Sequence, residues 1–527
     1  MKHGALNLAM ALCKGTLALC LATAAQAADV LRVRLEEDPD SLYNVQTGSL
    51  VANSVLGNFL LERLVYIDMK GLPQPWLAES WQVSPDQKQV TFKLRRGVKF
   101  HDGTDLDAAA VKFLFDAIRD PKNGSPILPL VGPLVAADVL DSTTLRLSFS
   151  KPFAPLFSNL AQPSLGINSP HAVSKSGASY GRHPVGTGPY LLKRWIPGAE
   201  IDLERNPGYR QWRADAVNKG PAKIGRISLL VVKEEAVATA AFETGELDLA
   251  SVQPDAVDQV GKNSHLRVIT DKRPSNLIFV DFNQLRAPFD DPQFRLAIGH
   301  AINRAAVVRA AYGGLGSEAL SPLAAGIPGY DEQVSARHAP DYNPAKAKVL
   351  LSQAGWKLDA SRADGLLYRN GTPARFVLRS YSGNEAISRT LAVIQADLKS
   401  VGIEVKIDTS DWGTFYPSLL KGDWDMALVR WTASDASVLS DLFRSPGHRR
   451  SLLPNAAVDT VLDRCNVSVL PAVRYQCVSE AQAILLDNLV AMPVASNWGI
   501  VATSDKVRGF SVDGQGYLLS TDLDVLP

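Results

Sequence analysis

The sequence is poor in cysteine, in net charge and in long apolar runs. It contains 4 cysteines in 527 residues, and their spacing suits no zinc site. The 55 lysines and arginines nearly balance the 54 aspartates and glutamates, so the composition gives no reason to expect nucleic acid or an anionic membrane surface as a partner. Beyond the amino-terminal segment, no apolar stretch is long enough to span a bilayer. The 46% of hydrophobic residues fits a soluble globular enzyme or binding protein, and the length favours two large lobes.

The amino terminus has the features of a secretory signal peptide over residues 1–28. A lysine-bearing start and a short apolar run lead to the small-residue string AAQAA at 24–28. This pattern predicts cleavage after Ala27 or Ala28 and a mature protein that is free in the periplasm. The alternative is a lipoprotein acylated at Cys20, but the residue before such a cysteine is normally small and here is leucine.

Cys465 and Cys477 are the two cysteines that follow the predicted signal peptide. An oxidising compartment favours a disulfide between them. Two separately buried thiols remain the alternative, because the sequence does not fix the distance between the two Cα atoms.

The most regular pattern in the first half of the chain is a strand, a turn and a capped helix. Val90, Phe92 and Leu94 alternate with polar residues, as in a half-buried strand. Asp107 is placed to cap a helix whose apolar residues fall on one stripe and which ends before Pro121.

Two strings in this region, PWLAESW at 75–81 and KFHDG at 99–103, resemble the signature region of the extracellular solute-binding proteins that serve peptide, nickel and opine ABC transporters. The resemblance is to family 5, the dipeptide/oligopeptide-binding type. The sequence departs from the family at Gln87, where glycine is usual in a turn, and at Ala110, where aspartate is usual in the helix. Both positions look structural.

The resemblance implies an α/β fold of the large periplasmic-binding-protein-like class, with two lobes joined by a two-strand hinge. It also implies the function of a binding component that captures a short peptide or similar small solute between its lobes and delivers it to a permease in the inner membrane. A nickel chelate or an opine is the alternative ligand within the same fold. We expect a monomer without a cofactor, without a metal site and without enzymatic activity.

The expected organisation places lobe I at 29–273 plus 495–527, with an extra subdomain inserted at about 70–170, and lobe II at 274–494. Within lobe II, the sequence predicts a βαβ unit. Its parts are a strand at Arg375 to Arg379, a helix from Ser382 to Ser400 with Ser382 and Glu385 in capping-box spacing, and a strand from Ile403 to Ile407.

Catalytic and metal-binding motifs are weak. Residues 177–181 read GASYG, the G-x-S-x-G pattern of a nucleophile elbow around Ser179. Neither an apolar strand before this string nor a helix after it is indicated, so a secreted serine hydrolase is only the alternative from another class. His101 and Asp102 form a possible ligand pair, but a hydrogen-bonded turn explains them better.

Candidate ligand-binding residues lie where strands of lobe II end, because helix amino termini offer free amides there. In the peptide-binding relatives, a tryptophan is followed three positions later by an aspartate that holds the ligand's amino terminus. Here that position is serine, and an aspartate comes one residue later. The family's first loop lines the cleft, and a second tryptophan offers another aromatic wall. The predicted ligand-binding residues are Tyr43, Tyr381, Ser382, Trp412, Arg430, Trp431, Ser434 and Asp435.

Overall fold

The computed structural model describes residues 30–422, 424–445 and 452–526, so the predicted signal peptide lies outside the described residues. The strands in chain order are β1 (Val30–Leu35), β2 (Val65–Ile67), β3 (Pro73–Pro75), β4 (Ala78–Val83), β5 (Gln89–Leu94), β6 (Leu134–Asp141), β7 (Thr144–Phe149), β8 (Tyr190–Ile196), β9 (Glu200–Arg205), β10 (Arg226–Val231), β11 (Leu249–Ser251), β12 (Leu266–Asp271), β13 (Asn276–Phe282), β14 (Gly316–Glu318), β15 (Lys357–Leu358), β16 (Leu367–Arg369), β17 (Thr372–Pro373), β18 (Arg375–Tyr381), β19 (Glu404–Ser410), β20 (Met426–Thr432), β21 (Ala491–Asn497), β22 (Gly499–Ser504), β23 (Val507–Arg508) and β24 (Asp524–Val525). The helices are α1 (Leu50–Val55), α2 (Ala108–Arg119), α3 (Leu128–Val131), α4 (Leu156–Leu160), α5 (Pro170–Ser176), α6 (Glu235–Glu243), α7 (Val257–Gly261), α8 (Pro292–Ala301), α9 (Arg304–Tyr312), α10 (Glu332–His338), α11 (Pro344–Gln353), α12 (Glu385–Ser400), α13 (Trp412–Lys421), α14 (Val438–Phe443), α15 (Ala456–Cys465) and α16 (Pro471–Asp487).

The first lobe is built on a seven-stranded sheet in the order β12-β22-β11-β1-β10-β9-β8. Strand β1 lies in its centre, parallel to β10 and β11, and the apolar residues Leu31 and Val33 are buried there. Parallel strands buried on both faces favour such apolar runs. The carboxyl ends of β1 and β11 therefore meet at one edge of this sheet.

The subdomain contains a four-stranded antiparallel sheet in the order β4-β5-β7-β6. As predicted, Val90, Phe92 and Leu94 of β5 point into its core. The Oδ1 atom of Asp107 accepts a hydrogen bond from the amide of Ala110 at 2.8 Å, which confirms the predicted cap of α2. The strand, turn and helix that carry the family resemblance thus form one packed unit.

The second lobe is built on a six-stranded sheet in the order β14-β21-β13-β20-β18-β19. The predicted βαβ unit is present, with β18 and β19 parallel and α12 between them. The predicted cap at Ser382 is wrong, because the helix begins at Glu385 and the Oδ1 atom of Asn384 accepts from the amide of Ile387 at 3.0 Å. Gly383 has a φ of +86°, so the chain turns once more after Ser382 before the helix starts.

Two crossings join the lobes, as the α/β two-lobe prediction requires. The first runs through residues 272–275, between β12 and β13, and the second passes through Trp498, between β21 and β22. The predicted second boundary at residue 494 needs correction, since it falls inside β21, which stays in the second sheet as far as Asn497.

Cys465 at the end of α15 and Cys477 in α16 are joined by a disulfide, with their Cα atoms 5.4 Å apart. The bond ties two adjacent helices of the second lobe together. Among the described residues, none of the helices combines the length and the apolar character needed to cross a membrane.

Candidate functional site

The edge of the second sheet that lies next to both crossings is the centre of the candidate site. Strands β18 and β20 are parallel and end there at Tyr381 and Thr432. Antiparallel β13 begins at the same edge, with Asn276 opposite Thr432. Any movement of one lobe about the crossings therefore opens or covers the ends of β18 and β20.

A cavity of about 760 Å³ lies between the subdomain and this edge of the second lobe. The subdomain contributes Phe153 and Gln162, and the second lobe contributes the segment that follows β20. Three predicted site residues line the cavity, namely Trp431, Ser434 and Asp435. A volume of this size holds a small organic solute or a short peptide.

Ser434 is hydrogen-bonded to a residue on the opposite side of the cavity. Its Oγ atom accepts a hydrogen bond from the Nε2 atom of Gln162 at 2.8 Å. The two residues are 272 positions apart, and they belong to different lobes. The serine that occupies the family's amine-binding position thus bonds to the protein itself in this conformation.

Asp435 forms a buried ion pair with Arg474 of α16. Its two carboxylate oxygens accept from the guanidinium at 2.7 and 2.5 Å, and the amide of Ser437 donates to it at 2.8 Å. Burial disfavours the ionised carboxylate, but the charge and hydrogen bonds of Arg474 outweigh this and lower the pKa of Asp435 to about 2. Only 5% of Asp435 is exposed. Arg474 therefore occupies the carboxylate of the predicted ligand-binding residue Asp435, which leaves no free carboxylate there for a ligand amine.

Arg430 and Trp431 point to opposite faces of the second sheet, because successive side chains of a strand alternate. Trp431 packs on the same side as Ala427 and Val429, and it is half-buried. Arg430 lies on the side of Leu428 and is exposed. Only Trp431 of this pair reaches the cavity.

Arg430 lies near the end of β20, on the face of the second sheet that carries Leu428. Burial raises the pKa of Tyr381 and raises that of Tyr312 to about 12, and the positive charge of Arg430 opposes both increases. Both hydroxyl groups stay protonated at neutral pH and are able to donate hydrogen bonds.

Aromatic side chains extend the opposite face of the sheet, the one that carries Trp431. The ring of Tyr381 meets that of Trp412 edge to face at 5.3 Å between centroids, and Trp412 stacks on Tyr416 at 5.4 Å. Trp412 is 47% exposed at the start of α13, whose amino terminus is capped by Asp411. A half-exposed indole offers a flat apolar surface to a ligand.

The two remaining predicted site residues, Ser382 and Tyr43, lie in different parts of the molecule. Ser382 is exposed beside Tyr381, and its amide extends the strand ladder by donating to the carbonyl oxygen of Ser410 at 2.8 Å. Tyr43 does not reach the cavity: it is 8% exposed, lies in the subdomain core and packs edge to face on Tyr180 at 4.9 Å. The prediction for Tyr43 is therefore corrected to a packing role.

Further contacts join the two lobes, and sequence patterns missed them. The Oε1 atom of Gln87 accepts from the amide of Val469 at 2.8 Å, and the hydroxyl of Tyr475 donates to the carbonyl oxygen of Gly71 at 2.6 Å. The sequence does single out Gln87, because it stands where the family usually has a turn glycine. Its φ is +55°, in the left-handed region that favours glycine. Its side chain supplies a contact between lobes that glycine lacks.

The motifs considered for catalysis are structural. Ser179 lies in a 3₁₀ turn, and its hydroxyl donates to the carbonyl oxygen of Ser176 at 2.8 Å. The buried ring of His101 bonds to the carbonyl oxygen of Gly188 at 3.0 Å, and burial lowers its pKa to about 4, so the imidazole is neutral. The described part of the chain contains no group of three or more potential metal-binding side chains.

Comparison with known proteins gives consistent matches over most of the chain. The family model of the bacterial extracellular solute-binding proteins, family 5 (middle region), matches residues 73–450. The glutathione-binding protein GsiB of Escherichia coli O1:K1 is 30% identical over 449 residues, which cover 82% of each chain. Among solved structures, HbpA2 of Haemophilus parasuis aligns with a TM-score of 0.81 at 22% identity, covering 94% of this chain and 100% of that one. NikA of Brucella suis, solved with Fe(III)-EDTA, aligns with a TM-score of 0.79 at 25% identity and the same coverage.

Proposed function

The chain belongs to family 5 of the bacterial extracellular solute-binding proteins, and we propose that its ligand is a short peptide or similar small solute held at the edge of the second sheet. As a member of this family, it is a periplasmic binding component of an ABC importer, and it delivers its solute to a permease. The observation that carries the ligand proposal is the cavity of about 760 Å³ bounded by both lobes beside the two crossings.

Transport by such a protein depends on two conformations. A ligand shifts the population towards the closed form only if it binds that form more tightly than the open one. A solute in this cavity touches Phe153 of the subdomain and Trp431 of the second lobe together only when the lobes are close. We propose that the units that move are residues 30–271 with 499–526 and, as far as the structure describes them, residues 276–497.

Among the predicted site residues, we propose that Trp431, Ser434, Tyr381, Ser382 and Trp412 face the solute, whereas Arg430 lies on the face of the sheet that is turned away from the cavity. Asp435 supports this surface by fixing the segment after β20 against Arg474. The glutathione-binding relative supports a peptide ligand, because glutathione is a tripeptide. The Brucella relative with its Fe(III)-EDTA supports a chelate as the second candidate.

We propose further that the protein catalyses no reaction. A serine hydrolase needs a base that activates its nucleophile, and the Ser179 hydroxyl is instead committed to a backbone carbonyl. Cleavage after Ala27 or Ala28 is proposed to release a soluble monomer. Intact-mass analysis of the exported protein tests this, since an acylated chain beginning at Cys20 would contradict it.

Native mass spectrometry of the protein purified from its own periplasm tests the ligand class directly. We expect a retained mass of a few hundred daltons that fragments as a peptide. Titration calorimetry with reduced glutathione and with Fe(III)-EDTA then compares the two candidates. Retention of a metal chelate, with no binding of any peptide, would replace the first candidate by the second.

A further inference from the structure

Met69 differs from the other methionines that follow the predicted signal peptide. The chain has 5 methionines, and Met1 and Met10 precede the predicted cleavage site. Met426 and Met492 lie in strands of the second sheet and are 0% exposed, whereas Met69 is 58% exposed. Oxidation of a thioether depends on how easily the oxidant reaches the sulfur. Among the described residues, Met69 is therefore the methionine that an oxidant in the solvent reaches.

The sulfur of Met69 contacts the first crossing between the lobes. Met69 lies in the turn between β2 and β3, and its Sδ atom accepts a hydrogen bond from the Nη2 atom of Arg273 at 3.2 Å. The two residues are 204 positions apart, and Arg273 belongs to residues 272–275, which join the lobes. A thioether is a weak acceptor, so this bond is weak in the reduced protein. The ion pair of the same guanidinium with Asp271 is long, at 3.9 Å, which leaves donors available for a stronger acceptor.

The turn that carries Met69 also reaches the second lobe. The hydroxyl of Tyr475 donates to the carbonyl oxygen of Gly71 at 2.6 Å. The backbones approach closely there, since a Cβ atom on Gly71 would lie 3.1 Å from the Cβ atom of Pro328. The turn thus contacts the second lobe at Gly71 and the first crossing at Met69. A chemical change at Met69 therefore acts where the lobes rotate about each other.

A cavity of about 540 Å³ beside the crossings leaves room for an added oxygen atom. Met69 and Arg273 both line it, together with Gly499, which follows the second crossing. Phe510 and Leu518 of the carboxyl-terminal segment are among its apolar walls. Since Arg273 already contacts the sulfur of Met69, its guanidinium is the donor closest to an oxygen atom added there.

We propose that Met69 is a site of reversible oxidation by hydrogen peroxide and that its sulfoxide binds Arg273 and stiffens the first crossing. In this reaction, the sulfur lone pair attacks one peroxide oxygen, a sulfur–oxygen bond forms and the oxygen–oxygen bond breaks. The thioether loses two electrons, the peroxide gains them, and after a proton shift the second oxygen leaves as water. The sulfoxide oxygen carries a partial negative charge, so its hydrogen bond to a guanidinium is stronger than that of the thioether. Methionine sulfoxide reductases, one for each sulfoxide epimer, restore the thioether.

Peptide mapping tests the selectivity of the oxidation and does not require the solute. The exported full-length protein is treated with hydrogen peroxide, catalase stops the reaction, and mass spectrometry measures the sulfoxide at each methionine. We expect Met69 to react about tenfold faster or more than Met426 and Met492, because both of these are buried. In urea, the three methionines should react at similar rates. Comparable rates in the folded protein would overturn Met69 as the site.

Hydrogen–deuterium exchange tests the effect on the first crossing, again without the solute. Oxidation should slow exchange in peptides that cover 272–276 by about threefold or more, because the stronger bond restrains Arg273. Peptides from β5, in the core of the subdomain, are the internal reference and should keep their rates. Treatment with the two reductases should restore the original rates at 272–276. Selective oxidation of Met69 without slower exchange would overturn the effect on the crossing.

Variants assign the effect to the two side chains, each variant being compared before and after peroxide. Met69→Leu has no sulfur to oxidise, so peroxide should leave its exchange at 272–276 unchanged. Met69→Gln carries an amide oxygen in place of the sulfoxide oxygen, and it should exchange more slowly than the wild type without peroxide. Arg273→Leu, once circular dichroism shows that it folds, should be oxidised at Met69 without slower exchange. Slowing by peroxide in Met69→Leu or in Arg273→Leu would overturn the assignment, because other residues would then carry the effect.

Discussion

The side chain of Asn276 pairs reciprocally with the backbone of Asn497, so that the two crossings between the lobes are joined to each other. Its Nδ2 atom donates to the carbonyl oxygen of Asn497 at 3.1 Å, and its Oδ1 atom accepts from the amide of Asn497 at 3.2 Å. The register of β13 against β21 shifts between Ile278 and Phe279, and the asparagine side chain continues the ladder where the strands diverge. The two crossings are thus expected to bend as one ribbon.

Replacement of Asn276 should loosen this ribbon locally. In Asn276→Ala, the amide and carbonyl of the half-buried Asn497 lose their two hydrogen bonds to the side chain, which costs about 1–3 kcal/mol of local stability. Hydrogen–deuterium exchange of peptides that cover 494–498 should accelerate about tenfold or more. Peptides from β22 serve as the internal reference and should keep their rates. Unchanged exchange at Asn497 would mean that strand pairing alone fixes the hinge.

The buried pair of Asp435 and Arg474 should be costly to break. Asp435→Asn leaves the guanidinium uncompensated in a site where both side chains are buried, so the free energy of unfolding should fall by about 3–5 kcal/mol. The control is Asp463→Asn, which removes the exposed partner of Arg444 and should cost less than about 1 kcal/mol. Urea denaturation of both variants measures the difference. Similar losses of unfolding free energy in the two variants would show that burial does not make the Asp435–Arg474 pair more costly to break.

The ion pair of Asp435 and Arg474 should make the free energy of unfolding depend on pH. The pKa of Asp435 is lowered from 3.8 to about 2 in the folded protein, so its ionised form stabilises the fold. This contribution is fully present above pH of about 4 and is lost as the pH falls through about 2. The difference in unfolding free energy between wild type and Asp435→Asn should therefore be constant from about pH 5 to 8 and should shrink below about pH 4. A difference that varies between pH 5 and 8 would contradict the low pKa.

Local patterns predicted much of the fold, and contacts distant in sequence explain what they missed. The strand and capped helix around Asp107 follow from alternation and from one side chain that bonds to an amide three residues later. The cap of α12 was misplaced because Ser382 and Asn384 are both good caps, and the turn at Gly383 decides between them. For Asp435, the resemblance to the peptide-binding relatives suggested a ligand contact, although Asp435 is one residue further from Trp431 than their aspartate. Its true partner, Arg474, lies 39 residues away on a helix whose position the sequence does not reveal.

Ser179 should be dispensable. Its hydroxyl bonds to the backbone of its own turn, on the surface of the first lobe. Ser179→Ala should therefore leave the affinity for the retained solute within about threefold, well below 1 kcal/mol. A fluorescent serine-directed phosphonate should label neither protein. Covalent labelling that depends on Ser179 would support the hydrolase alternative.

Closure should depend on aromatic contacts from both sides of the cavity. Trp431 lies on the second lobe and Phe153 on the subdomain, and a ligand between them touches both only when the lobes are close. Either Trp431→Ala or Phe153→Ala should weaken binding of the retained solute by about 1–3 kcal/mol. Leu140→Ala, at an exposed apolar position of the subdomain outside the cavity, is the control and should bind normally.

Small-angle scattering of the same three variants connects affinity with movement. In the wild type, the solute should reduce the radius of gyration, because its contacts with both lobes favour the closed form. At a solute concentration that saturates the wild type, Trp431→Ala and Phe153→Ala should remain partly extended. Their radii should reach the wild-type value when the concentration is raised in proportion to the lost affinity, since a weaker ligand shifts the same equilibrium less far. Normal affinity in folded Trp431→Ala would move the solute away from this cavity and towards Tyr381 and Trp412 at the end of β18.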